Sequence, residues 1–126
     1  MNQNLKRLFL GFGCLLLVGC GDNHDQVAKD SITAMKKFVS IMESIETVDD
    51  AKAAKSKLES IARDMRTIEA RAKKLGNPGE EAEKKLKEKY QSDKSEVDIK
   101  IAGFKTMDPA ILKELESTIN EVTDAK

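Results

Sequence analysis

The sequence predicts an all-α fold, an antiparallel helical bundle of three long helices plus a shorter C-terminal helix. Three observations predict it. The composition is 35% charged and only 4% aromatic, and lysine, glutamate, alanine and leucine dominate, as they do in bundles and coiled coils. Apolar residues recur at intervals of three and four after residue 25, which is the spacing of a helix face. No stretch combines sustained alternation with hairpin turns, so no strand is predicted.

The first helix is predicted from about Asp25 to Glu46. Its core residues recur by three and four, and further apolar residues widen the stripe, which is typical of a helix packed in a globular bundle. The first set is Met35, Phe38, Met42 and Ile45, and the second is Val27, Ile32, Val39 and Ile41.

The second helix begins after Thr47-Val48-Asp49-Asp50 and runs to about Leu75. Thr47 or Asp49 can accept hydrogen bonds from its free amides, and the acids favour the positive end of the helix. Its apolar steps alternate regularly between three and four, which is a heptad seam. The seam residues are Ala51, Ala54, Leu58, Ile61, Met65, Ile68, Ala72 and Leu75.

Gly76-Asn77-Pro78-Gly79 is the strongest turn signal and predicts an antiparallel hairpin between the second and third helices. The third helix is predicted from Glu80 to about Lys105. Its polar stretch at 91–95 is either a polar layer or a break capped by Asp93 or Ser95, and we predict one continuous helix of about 40 Å. Its shared face is Ala82, Leu86, Tyr90, Val97, Ile101 and Phe104.

Asp108-Pro109 predicts the start of the last helix, because an acidic cap precedes a proline in the first turn. This helix is predicted from about Pro109 to Val122. Its apolar face is formed by Ile111, Leu112, Leu115, Ile119 and Val122.

The N-terminus carries a separate pattern. Lys6 and Arg7 precede an apolar run from Leu8 to Val18, which at about eleven residues is too short for a hydrocarbon core that needs roughly 20. Leu17-Val18-Gly19-Cys20 closes the run. A basic start, a short apolar region and small residues before a cleavage point mark a signal peptide. The segment resembles a bacterial lipoprotein signal peptide with its lipobox.

That resemblance implies cleavage before Cys20, with Leu17, Val18 and Gly19 as the flank, and a diacylglyceryl thioether on Cys20. N-acylation, for example by palmitate, would follow. Two or three acyl chains hold a protein durably on a membrane where one holds it marginally. Cys14 is the weaker acceptor, since it lies inside the apolar run behind a bulky Phe. An uncleaved or ordinary secretory signal is the alternative.

The resemblance also implies an organisation and a location. We expect a signal peptide at 1–19, an acylated tether at 20–26 and a helical bundle domain at 27–126. The protein would face the extracytoplasmic side of the cell envelope, in the periplasm. Asp22 resembles the inner-membrane retention signal of enterobacterial lipoproteins.

Charge and cysteine content exclude several functions. Without residues 1–19 the chain has 20 basic and 22 acidic residues, a net charge of 20 − 22 = −2, so nucleic-acid binding has no electrostatic support. With Cys20 acylated, no thiol is left for a disulfide or a nucleophile.

The candidates for metal or catalytic chemistry are weak. His24 is the single histidine, whereas zinc needs three or four converging ligands, so we predict a solvated residue of the tether rather than a ligand or a base. Asp93, Glu96 and Asp98 lack the histidines that a di-iron site requires. We therefore predict no metal, no cofactor besides the lipid, no catalytic residue and no small-molecule substrate.

Three residue sets have a structural and a binding interpretation. The acids Glu80, Glu81 and Glu83 and the lysines Lys84, Lys85 and Lys87 form either a solvated helix face or a binding surface. Three arginines, Arg63, Arg66 and Arg71, are either exposed surface or contacts for an acidic partner or anionic lipid. Three methionines, Met35, Met42 and Met65, are either core or an adaptable groove.

These observations favour a non-enzymatic, lipid-anchored binding or adaptor module at the membrane surface, with a protein partner. The first alternative is a structural lipoprotein that self-associates as a coiled coil. The second is an enzyme or small-ligand binder, for which the sequence offers no residue set.

Overall fold

The structure is a computed structural model that describes residues 23–123. Within this range the chain is all-α and contains no β-strand, as the sequence predicts. Its elements, in order, are α1 (His24–Glu43), α2 (Val48–Leu75), α3 (Glu80–Gly103), a 3-10 turn (Phe104–Thr106) and α4 (Pro109–Thr123). None of the helices in this range is long and apolar enough to span a membrane.

Helix α1 begins at His24, one residue before the predicted start near Asp25, and ends at Glu43, three residues before the predicted end. The side chain of Asn23 accepts a hydrogen bond of 2.7 Å from the backbone amide of Gln26 and caps the helix. Residues 23–26, expected in the tether, therefore form the cap and first turn of α1. The apolar pattern starts only at Val27, and the capping asparagine is the signal that sets the boundary.

Of the two caps that the sequence allows for α2, Thr47 and Asp49, Thr47 is the one observed. Thr47 Oγ1 accepts from the Asp50 amide at 3.1 Å, and Asp50 Oδ2 accepts from the amides of Thr47 at 3.0 Å and Glu46 at 3.2 Å. This reciprocal capping box satisfies amides that the helix itself leaves free. Hydrogen bonding by the Thr47 side chain first, and then by the backbone amides of Glu46 and Thr47, lowers the pKa of Asp50.

Helix α3 is continuous through 91–95, which confirms the favoured prediction. Asp93 occupies the seam there and forms an ion pair with Lys36 of α1, so this position is a polar layer. Only Val97 and Ile101 of α3 are buried.

One hydrophobic cluster contains residues from all four helices. Phe38 of this cluster packs edge to face with Phe104, with ring centroids 6.3 Å apart. Most predicted seam residues are buried in it, while Ile41, Ile68, Phe104 and Ile119 are half-buried. The completely buried members include Ala51, Leu58, Ala62, Leu115 and Val122.

The packing partner of α3 differs from the hairpin that the tight turn predicts. Helix α1 packs against both α2 and α3, and α4 packs against α2, whereas α2 and α3 have few close approaches within residues 23–123. The physical reason is that the first half of α3 has only scattered apolar residues, while α1 carries a wide apolar stripe. The contacts among the helices are consistent with a bundle.

Side-chain pairs between the helices follow a regular order along the chain. His24 and Asp30 of α1 contact Gly76 and Arg71 at the end of α2, so the contacts run in opposite directions along these helices. Three ion pairs join α1 to α3 in the same chain order: Asp25 to Lys89, Lys36 to Asp93, and Glu43 to Lys100.

Candidate functional site

The predicted lipidation site lies outside the described residues. This holds for Cys20, for its flank Leu17, Val18 and Gly19, and for Asp22. The described chain begins at Asn23, three positions after Cys20. The candidate site in the described part is therefore the end of the bundle where α1 begins, which we call the tether end. It comprises residues 23–25, the last turn of α2, residues 76–79 and the first half of α3.

His24 joins two elements at the tether end. Its Nε2 lies 2.8 Å from the carbonyl oxygen of Gly76. Gly76 ends α2 with a φ of 70°, a left-handed conformation that glycine adopts without strain. The imidazole N–H can donate to this carbonyl, so His24 secures the start of α1 to the end of α2. This differs from the solvated tether residue that the sequence suggests.

Asp25 joins α1 to α3 through one carboxylate oxygen. Lys89 Nζ donates to Asp25 Oδ1 at 2.7 Å, and the Tyr90 hydroxyl donates to the same oxygen at 3.0 Å. Lys89 Nζ also lies 5.3 Å from the centroid of the Tyr90 ring, within the range of a cation–π interaction. The three side chains therefore form one hydrogen-bonded cluster.

The cluster changes the acidity of its members. The hydrogen bond from Lys89 is the main cause that lowers the pKa of Asp25, and the same bond raises the pKa of Lys89. Burial, and then the hydrogen bond to Asp25, raise the pKa of Tyr90. All three groups keep their ordinary charge at neutral pH, so the arrangement stabilises contact between helices and offers no poised acid or base.

A second ion pair and a small apolar layer lie next to the tether end. Arg71 Nη1 lies 2.7 Å from Asp30 Oδ2, and both side chains are half-buried. Next to them is a separate hydrophobic cluster formed by Val27, Ala72 and Leu75, with Ile68 packed against it. The start of α1 is thus held by polar and apolar contacts at once.

The first half of α3 is the least covered part of this end. Pairs one helical turn apart join Glu81 to Lys85 at 2.8 Å and Glu83 to Lys87. The predicted core residue Ala82 is exposed and Leu86 is only half-buried. Neither belongs to a hydrophobic cluster, because α1 begins at His24 and offers this segment little apolar surface.

The other candidate residues are in structural contacts or on the surface. All three methionines lie in the core cluster, with at most 7% of their surface exposed, so they form core and no groove. Arg63 and Arg66 are exposed. On α3, Asp98 pairs with Lys94 at 2.7 Å, and Glu96 lies 3.8 Å from Lys100.

Within residues 23–123, no three His, Cys, Asp or Glu side chains are close enough together to hold a metal ion.

The contacts of His24, Asp25 and Arg71 were not predicted from the sequence. A signal was available for the contact of Asp25 alone: Tyr90 lies on an apolar seam, and a tyrosine in that position usually has a partner for its hydroxyl.

Comparison of the chain with protein-family models, with curated proteins and with solved structures gave no match.

Proposed function

We propose that this protein is a lipid-anchored protein of the bacterial envelope and acts as a non-enzymatic helical binding or adaptor module at the membrane surface. The observation that carries the proposal is the distance along the chain between the acylation residue and the domain. Only residues 21 and 22 separate Cys20 from Asn23, which caps α1. An anchor at Cys20 would therefore hold a folded domain directly at the bilayer.

The mechanism that we propose is positional. The diacylglyceryl group and the N-acyl chain retain the domain on the extracytoplasmic face, and Asp22 favours retention at the inner membrane. One helical surface then binds an envelope protein. Four of the described polar residues make contacts between helices, namely His24, Asp25, Asp30 and Arg71. These contacts are consistent with the proposal, because they stabilise the domain that the anchor would position.

We further propose that the four helices form an antiparallel up-and-down bundle. The start of α1 contacts the end of α2, which supports an antiparallel pair. The ion pairs between α1 and α3 follow the same chain order, which supports a parallel direction for these two helices. In this arrangement the heptad seam of α2 is used within the chain. A self-associating form would therefore need another surface, and the outer face of α3 carries the exposed side chain of Ile99.

The anchor is tested by the substitution Cys20→Ala. Loss of the acceptor thiol should leave an uncleaved precursor without acyl groups, since processing at a lipobox depends on prior modification of its cysteine. Mass spectrometry of the N-terminal peptide measures both properties. Cys14→Ala is the matched control and should be processed like the parent chain. Normal processing of Cys20→Ala would exclude a lipobox at this position.

The adaptor role is tested by crosslinking in cells, purification of the acylated protein in mild detergent, and mass spectrometry of the proteins recovered. Proportionate recovery of one envelope protein is the result we expect. A ladder containing only this chain would instead identify a structural homo-oligomer.

A further inference from the structure

We infer that the tether end of the bundle rests on the lipid headgroups, with the 76–79 loop and the start of α3 in contact with them, because the tether is too short to hold it away. This inference rests on the lipid anchor proposed above and specifies which part of the domain meets the membrane.

The length of the tether sets the first limit. An extended chain spans at most about 3.6 Å per residue, so the Cα atoms of Cys20 and Asn23 lie within about 11 Å of each other. A cysteine that carries a diacylglyceryl group is held in the headgroup layer. That layer is itself about 5–7 Å deep on each side of the hydrocarbon. Asn23 is thus confined to the immediate surface.

The contacts at the tether end place other elements close to Asn23, and therefore close to the membrane surface. The hydrogen bond of 2.8 Å from His24 brings Gly76 level with the first turn of α1. The 76–79 loop that follows therefore starts within hydrogen-bonding reach of the tether attachment.

The start of helix α3 is placed near the membrane by its contact with the first turn of α1. Asp25 contacts Lys89 and Tyr90, and α3 runs in the same direction as α1. Its first residues, Glu80 to Lys89, consequently extend toward the membrane from that contact by up to about 13 Å at 1.5 Å per residue. This extension is as long as the tether, so the start of α3 reaches the headgroups when Cys20 is anchored.

The net charge of the start of α3 argues against electrostatic attraction to lipids as the cause of its contact with the headgroups. Residues 80–89 contain four glutamates and four lysines, a net charge of 4 − 4 = 0. A neutral segment gains little from anionic lipids. The contact should therefore persist on phosphatidylcholine vesicles and at high salt, where attraction between exposed charges is screened.

The opposite end of the bundle is left free. Helix α1 has 20 residues, or about 30 Å of helix. The pair of Glu43 with Lys100 at 3.3 Å brings the ends of α1 and α3 together there. Residues 44–47 and 104–108 thus form a distal end, which is the surface available to a partner that approaches from the envelope space.

The test uses the full acylated protein in phosphatidylcholine vesicles that carry a quencher on the headgroup. A fluorophore is attached to Lys74→Cys at the tether end or to Lys105→Cys at the distal end, both exposed lysines, and Glu80→Cys reports on α3. Acylation leaves Cys20 without a thiol, so only the introduced cysteine reacts.

We expect several-fold stronger quenching at positions 74 and 80 than at 105, unchanged by salt or by added anionic lipid. Ten glycine and serine residues inserted between Asp22 and Asn23 should abolish the difference, since a coil of that length averages roughly 18 Å. Equal quenching at both ends, absence of quenching at 74 and 80, or quenching that survives the insertion would each overturn the inference.

The mass of the N-terminal peptide is measured on the same sample. A Cys20 without acyl groups would contradict the proposed anchor itself. An acylated Cys20 without quenching at the tether end would contradict only the inference about orientation.

Discussion

Asp25 shows how a single side chain connects elements that are distant in sequence. Its carboxylate accepts from Lys89 and Tyr90, which lie 64 and 65 positions away. At about half-exposed positions such an ion pair contributes little by Coulomb attraction alone. The shared oxygen and the half-buried tyrosine hydroxyl make the contact directional, so it defines where α3 meets α1.

The lowered pKa of Asp25 predicts a contribution to acid stability. The unfolded pKa of aspartate is about 3.9, and the folded value is lower. The contribution is therefore fully present above the unfolded pKa and is lost as pH falls through the folded value. Asp25→Asn removes this titration, so the free energy of unfolding should fall less between about pH 6 and pH 3 than in the parent chain.

Urea unfolding at the two pH values measures this difference. The control is Asp64→Asn, which changes an exposed aspartate of α2 and should follow the parent chain. An Asp25→Asn variant with the same pH dependence as the parent would show that Asp25 does not contribute to acid stability.

Ile61 is a direct test of the α2 seam. Only 4% of its surface is exposed, and an aspartate there would bury a charge without a partner. We expect Ile61→Asp to lose more than about 3 kcal/mol of stability and to leave the domain largely unfolded. Circular dichroism during thermal unfolding measures the loss.

Ser60→Asp is the matched control, because residue 60 is exposed and a surface change should stay within about 0.5 kcal/mol. Native helicity with an unchanged melting temperature for Ile61→Asp would mean that the seam is misassigned.

At the scale of the elements, the two halves of α3 differ in what holds them. The second half contributes Val97 and Ile101 to the core. The first half has no buried residue and is held by its own pairs between turns, each worth about 0.2–0.5 kcal/mol, and by the contact of Tyr90. The first half of α3 therefore depends less on the core, and more on exposed polar contacts, than the second half does.

Thr47 should contribute to stability as the cap of α2. Thr47→Ala removes the hydroxyl that accepts from the Asp50 amide, and such a change typically costs about 1 kcal/mol. Chemical denaturation measures the difference from the parent chain. Thr67→Ala is the control, since its hydroxyl only donates to the Arg63 carbonyl within the helix and alanine is the better helix former. Equal stability of the two variants would mean that the cap is dispensable.

At the scale of the whole molecule, the core cluster includes residues from all four helices, so we expect cooperative unfolding as one unit. The melting temperature of residues 21–126 should be independent of protein concentration if the monomer is self-sufficient. A melting temperature that rises with concentration would support self-association by mass action. Thermal scans over a wide concentration range provide the measurement.

The sequence by itself determined the helices. The steps of three and four in α2, the cap at Thr47, the turn at 76–79 and Asp108-Pro109 predict where helices begin and end, because these signals act within one or two turns of backbone. The Leu17-Val18-Gly19-Cys20 pattern likewise predicts the anchor from local chemistry, and that prediction awaits its test.

Only the tertiary structure decided which helices meet. The tight turn predicts that α2 and α3 pack together, yet α3 packs on α1, because burial of apolar area is shared among all elements at once and is not visible in one segment. For the same reason His24, read as part of a solvated tether, contacts Gly76, which lies 52 positions away. The tether end is thus defined by contacts between residues far apart in sequence, and local patterns carry no information about such contacts.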